Sequence, residues 1–167
     1  MKFTTFDYRF ANEILSTKYP KLKKEVESII SSITLTKSNS GRKELNAVIK
    51  KKFEAKGWEA EPRVFKGPHT PLAKLDFLKN RIGVEVEFGH SSFIGIDLLK
   101  LQTSSYSHLD KIDVGIYITT TSDFKKKMIE KFGVKWEGSL DFEKVKRYLP
   151  EFKSAIQVPV LVIGLEY

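Results

Sequence analysis

Cysteine is absent from the 167 residues, which excludes disulfides and thiolate metal sites; any metal must rest on carboxylates, carbonyls, water or the three histidines. Neither His69 nor His108 has a second ligand at metal spacing, so no zinc site is indicated. Long apolar runs are also lacking. No stretch reaches the roughly 18 apolar residues that a membrane span needs, and the opening Met1-Lys2-Phe3-Thr4-Thr5-Phe6-Asp7-Tyr8-Arg9 has no signal-peptide apolar core. A soluble, cytoplasmic protein without a membrane partner is expected. Acids are the minority charge, 21 Asp and Glu against 29 Lys and Arg, and the net charge of +8 favours a polyanionic partner. The 41% hydrophobic content suits a folded chain, and the length suits one domain, 1–167, with a sizeable core.

Hydrophobic spacing predicts a short helix around Ala11 to Ser16 and a core-packing helix that begins at Pro20 and carries Leu22, Val26, Ile29, Ile30 and Ile33. The polar stretch 34–41 reads as a loop. An amphipathic helix over 42–56 follows, with Leu45, Val48, Ile49 and Phe53 on one side, stopped by Gly57. Residues 58–65 suit a short strand and 66–71 a loop. Further helices are expected over 97–109, 123–132 and 142–149, and buried strands over 112–119 and 158–164, where β-branched residues dominate. Strands enclosed between helices, with an antiparallel pair near the middle, make an α/β or α+β domain around a mixed central sheet.

That antiparallel pair holds the chain's most informative residues. Lys74 to Leu78 and Ile82 to Phe88 alternate apolar and polar residues about a turn at Lys79-Asn80-Arg81, so Glu85 and Glu87 share one strand face near Asp76, while Val84, Val86 and Phe88 fill the other. No basic residue lies inside the acidic run 82–88. The alternation also describes a hairpin with a solvated acidic face. The other reading is a site for a hard divalent cation, Mg²⁺ above all. In a basic protein such a site suits phosphodiester hydrolysis: Asp76 and Glu85 hold the ion, and Glu87 binds it too or orients and deprotonates a water.

The pattern Asp76-x8-Glu85-x-Glu87 resembles the active site of the PD-(D/E)XK nuclease superfamily, with an acid in place of the final lysine. Within it, the chain resembles the restriction endonucleases of the BglII and BstYI group. Supporting stretches are Phe6-Asp7-Tyr8-Arg9-Phe10 with Glu13-Ile14-Leu15, Leu22-Lys23-Lys24-Glu25-Val26, Lys56-Gly57-Trp58, the acidic hairpin, Ile112 to Thr119 and Val158 to Gly164, in the family's order along nearly the whole chain. The resemblance implies a restriction-endonuclease-like core and a homodimeric, Mg²⁺-dependent enzyme. Such an enzyme cuts double-stranded DNA at a short palindrome, leaves 5′-phosphate ends and is accompanied by a cognate DNA methyltransferase. It matches Asp76 and Glu85 to the family's metal-binding acids and Glu87 to the third catalytic position.

Phe88-Gly89-His90-Ser91-Ser92 departs from the Trp and Asn or Ser and Lys that follow in family members, which bears on DNA contacts there. Further candidates are Glu44 as an additional acid, with Asn46 behind it, and Arg42, Lys43, His90, Lys125, Lys126 and Lys127 as DNA contacts. A structure-selective or repair nuclease of the same fold and a DNA-binding protein without turnover are the alternative functions.

Overall fold

The computed structural model describes residues 1–65, 67, 72–106, 110–136, 138 and 140–167. The elements run Lys2–Tyr8 (β1), Ala11–Lys18 (α1), Pro20–Ser31 (α2), Arg42–Glu54 (α3), Glu59–Ala60 (β2), Phe77–Lys79 (β3), Ile82–Val86 (β4), Ile94–Tyr106 (α4), Val114–Thr120 (β5), Ser122–Phe132 (α5), Phe142–Tyr148 (α6) and Val160–Glu166 (β6). All seven residues of β5 are buried, because it lies between parallel neighbours β4 and β6 in a sheet of order β1-β6-β5-β4-β3-β2. Parallel pairing needs a crossover, and α4 supplies it between β4 and β5. The remaining pairs, β1 with β6, β2 with β3 and β3 with β4, are antiparallel.

Period-2 alternation sorts the side chains of this mixed α/β sheet into two apolar layers. Ile116, Ile118, Leu161 and Ile163 pack with α1, α2, α3 and α5 in one core; Tyr117, Val160 and Val162 pack with α4 and α6 in the other. Trp136 belongs to the first, where its ring meets Phe88 and Phe124 and its indole N–H donates to the Ser40 carbonyl, anchoring the polar 34–41 stretch.

Several expected boundaries move. The sequence signals no strand at the N-terminus, yet β1 pairs with β6 over its full length. Within the 34–41 loop, Lys37–Asn39 form a 3-10 turn closed by a capping box between Thr36 and Asn39. The strand expected over 58–65 shrinks to β2 plus an isolated Arg63–Lys74 bridge, because Glu61 takes φ 53 and breaks the extended run. Helix α4 starts three residues before the expected Asp97, and residues 107–109 of its expected end, with His108, lie outside the described residues, as do His69 and most of the 66–71 loop. Lys79 belongs to β3, and the hairpin turn is Asn80-Arg81 alone. Both take positive φ, 44 and 69, as a type I′ connection requires. Arg81 is fixed there by its guanidinium, which donates to Asp113 Oδ1 at 2.7 Å and to Asp110. Asp113 is thus a structural acid at the end of the sheet where β5 begins. Among the described residues no helix is long and apolar enough to cross a membrane.

Candidate active site

At the opposite end, where β4 leaves the sheet, the acidic residues gather. Glu85 is the residue of β4 paired with Tyr117 of β5, so it faces the α4 side in an otherwise apolar layer and is 2% exposed. The solvated-face reading fails on that burial. Asp76 sits one residue before β3 and accepts a 2.6 Å hydrogen bond from the Val86 N–H, which draws it across the hairpin toward the end of β4. Glu87 lies one residue past β4. Its carboxylate accepts from the Gly89 N–H, and a Cβ at position 89 would lie 2.6 Å from its Oε1, so the close approach depends on glycine. Of the other face, Val84 and Phe88 are buried and Val86 half-buried.

Two residues that the strand motif does not announce complete the cluster. Helix α4 contains only two charged residues, Asp97 and Lys100, three positions apart and on its inner face. The Lys100 ammonium donates to Glu85 Oε2 at 2.6 Å and lies 2.9 Å from Asp97 Oδ1, while the Tyr117 hydroxyl donates to Asp97 Oδ2 at 3.1 Å. An Asp-x-x-Lys pair as the sole charge on an apolar helix was the available signal, because ions are rarely turned into a core unless paired.

One ammonium cannot neutralise Asp76, Glu85, Glu87 and Asp97 together. Burial first and the charge of Asp76 second push the Glu85 carboxyl up to about 9, against the pull of Lys100. Burial also raises Asp76 and Glu87. Lys100 is raised as well: desolvation lowers it, but Glu85 and Asp97 outweigh that. The cluster as a whole retains protons at neutral pH, and Lys100 stays charged through Asp97.

Glu85 Oε1 is buried and, among the described residues, accepts no hydrogen bond. An orphaned carboxylate oxygen in an all-oxygen, proton-retaining cluster fits a hard divalent cation. Among the described residues no three acids or histidines converge as a preassembled cage, since the ammonium stands between the acids.

On the α3 side, Asp76 opens into a cavity of about 130 Å³ lined also by Asn46, Lys50 and Glu61. Lys50 and Lys74 both pair with Glu61 and hold its carboxyl down at about 2. Of the two candidates on α3 it is Asn46, not Glu44, that shares this cavity with Asp76; Glu44 is exposed and folds back over Gly41 at its own helix terminus. His90 is exposed, and its Nδ1 is turned to its own loop, accepting from the Ser92 N–H. The Arg42 guanidinium lies over the Trp136 ring, 5.9 Å from its centroid. Lys125 pairs with Asp141 and Lys127 with Asp123, while Lys43 and Lys126 are exposed.

No curated protein matches the sequence. The fold is similar to the crystal structure of the restriction endonuclease BglII complexed with a DNA 16-mer, with TM-score 0.78, 24% identity, and 99% of this chain and 76% of that one covered. It is similar also to free BglII, with TM-score 0.69, 23% identity, and 100% and 80% covered. The family model described as restriction endonuclease BglII/BglIII matches residues 3–165, which run from within β1 to within β6 and take in every element between. Carrying that match along nearly its whole length, with the acids gathered at the end of β4, the chain belongs to the BglII/BglIII restriction endonucleases, type II enzymes that cut DNA at specific sequences.

Proposed function

We propose that Asp76, Glu85 and Glu87 are the catalytic acids of a Mg²⁺-dependent endonuclease in which residues 1–167 make one nuclease domain of the PD-(D/E)XK type. The observation that carries this reading is Glu85: a carboxylate 2% exposed, with one oxygen unbonded, on a strand whose neighbours are apolar. Such a group is costly to keep unless a cation uses it.

Asp76 and Glu85 would hold the ion with Glu87 beside it, and when bound the ion supplies Lewis acidity toward the phosphate and lowers the pKa of a bound water. The residues do the rest. Glu87, half-buried and raised by burial, takes the proton of the attacking water. The water oxygen bonds to phosphorus as the P–O3′ bond breaks, and O3′ gains a proton from solvent, leaving 5′-phosphate and 3′-hydroxyl ends. The Val86 N–H and the Gly89 N–H fix Asp76 and Glu87, so neither carboxylate must reorganise during the reaction.

The partner is double-stranded DNA, and a palindromic target calls for a C2 homodimer. The outer side of α4 suits a second copy: Ile96, Leu99 and Tyr106 are 60%, 52% and 58% exposed at spacings of three and seven, and both charges of the helix are turned inward. A cognate DNA methyltransferase is the further expected partner. Lys43, Lys126 and His90 are proposed as phosphate contacts, with Arg42, Lys125 and Lys127 behind them.

Digestion of a plasmid of known sequence with Mg²⁺, followed by sequencing of the ends, tests the reading. Discrete fragments with 5′-phosphates are expected from the wild type and none from Asp76→Ala. Cleavage by Asp76→Ala sinks the assignment of the acids.

A further inference from the structure

We propose that Lys100 is itself a catalytic residue: the cation that binds a non-bridging oxygen of the scissile phosphate, brought to the strand acids by a helix. The proposal rests on the reading of Asp76, Glu85 and Glu87 as the catalytic acids and adds to it the source of positive charge from the protein.

Three observations carry it. First, Lys100 is the side chain through which the cluster is joined. Its ammonium lies 2.6 Å from Glu85 Oε2 on β4 and 2.9 Å from Asp97 Oδ1 on α4, so it ties strand acid to helix acid. Second, it is bonded to one oxygen of Glu85 while the other has no hydrogen-bond partner among the described residues, so the same carboxylate could serve both the ammonium and a cation. Third, an ammonium has three protons to donate and two are directed at Glu85 and Asp97, while the side chain keeps 16% exposure to solvent. Asp97 is held by Tyr117, which stands in register with Glu85, so the ammonium is fixed from helix and strand together.

As the water oxygen bonds to phosphorus and the P–O3′ bond breaks, negative charge grows on the non-bridging oxygens. A fixed ammonium there stabilises the transition state more than the substrate. Lys100 stays protonated throughout; it donates a hydrogen bond and transfers no proton. Lys50, the cation beside Asp76 across the cavity, already pairs with Glu61.

The absence of cysteine makes the test clean, because Lys100→Cys introduces the sole thiol of the chain and aminoethylation restores an ammonium at nearly the native length. Three quantities are measured on wild type, Lys100→Cys and the alkylated, refolded variant: Mn²⁺ affinity by electron paramagnetic resonance, DNA affinity in Ca²⁺, and the single-turnover cleavage rate with Mg²⁺. The expected result is Mn²⁺ and DNA affinities within threefold of wild type and a cleavage rate at least 100-fold lower in Lys100→Cys, the loss typical of a deleted oxyanion donor. Aminoethylation should recover at least tenfold.

An undiminished rate overturns the proposal. So does a loss matched by an equal loss of Mn²⁺ binding, which is what a merely structural prop would give, or a loss that the restored ammonium does not repair. Should the cysteine variant not refold, Lys100→Arg keeps charge and pairing; it should cut within tenfold of wild type, and a 100-fold loss in a folded, Mn²⁺-binding Lys100→Arg protein overturns the proposal. Cleavage by Asp76→Ala in the same assay would show instead that the underlying reading had failed.

Discussion

Replacing Glu85 by Gln should stabilise the ion-free protein at alkaline pH while abolishing its activity. The carboxyl sits at about 9 in the native state against 4.5 in the unfolded chain, and it is 2% exposed. Below pH 4.5 both states bind its proton. Between 4.5 and about 9 only the native state does, so stability falls as pH rises through that window. One proton corresponds to about 1.4 kcal/mol per pH unit, so Glu85 alone should cost the wild type about 3 kcal/mol between pH 6 and pH 8. Glutamine keeps an oxygen for the Lys100 ammonium and has no proton to lose. Asp76 and Glu87 contribute to the slope in both proteins, so the difference between the two slopes reports Glu85 together with its coupling to them.

Urea denaturation in EDTA at pH 6, 7 and 8 measures it: the variant should gain about 3 kcal/mol on the wild type over that range. Addition of Mg²⁺ at 100 times its dissociation constant should then stabilise the wild type by about 2.7 kcal/mol and the variant far less. Parallel pH profiles for the two proteins would refute the claim that burial keeps Glu85 protonated.

Leu99→Glu places a charge in the middle of the exposed apolar side of α4; light scattering should give a monomer with an unchanged melting temperature, and a dimer would exclude that side as the subunit contact. Gly89→Ala drives a methyl group against the Glu87 carboxylate, so the cleavage rate should fall at least tenfold with fold and Mn²⁺ affinity retained; full activity would show that Glu87 need not stay where Gly89 holds it.

Much of the sheet was legible because its interior strands are apolar runs of β-branched residues; β5 and β6 are read directly from 112–119 and 158–164, give or take two residues. Strand β1 was not. Its Lys-Phe-Thr-Thr-Phe-Asp-Tyr has no period of two, and its conformation is imposed by β6, more than 150 residues away. The acids of the hairpin were legible from spacing, but their burial was not, because it depends on α4 covering the α4-side face of β4. For the same reason Asp97 and Lys100 escaped the strand motif: they are 10 to 15 residues downstream of Glu87 and Glu85 and reach them only through the β4-α4-β5 crossover. Choosing Asn46 over Glu44 required the rotation of α3, in which residues two apart point to nearly opposite sides.

The full burial of β5 also sets an order of events when the molecule loosens. Amide protons of β5 and of the Ile82–Val86 ladder beside it should exchange with solvent only on global unfolding, whereas the exposed segments around Ser92, Phe93 and Lys126 open at small free-energy cost. On the proposed assignment of Glu85 to catalysis and of the exposed rim to DNA contact, the rim can move while Glu85 stays on a slowly opening part of the backbone, so that the two roles would draw on separate reserves of local stability.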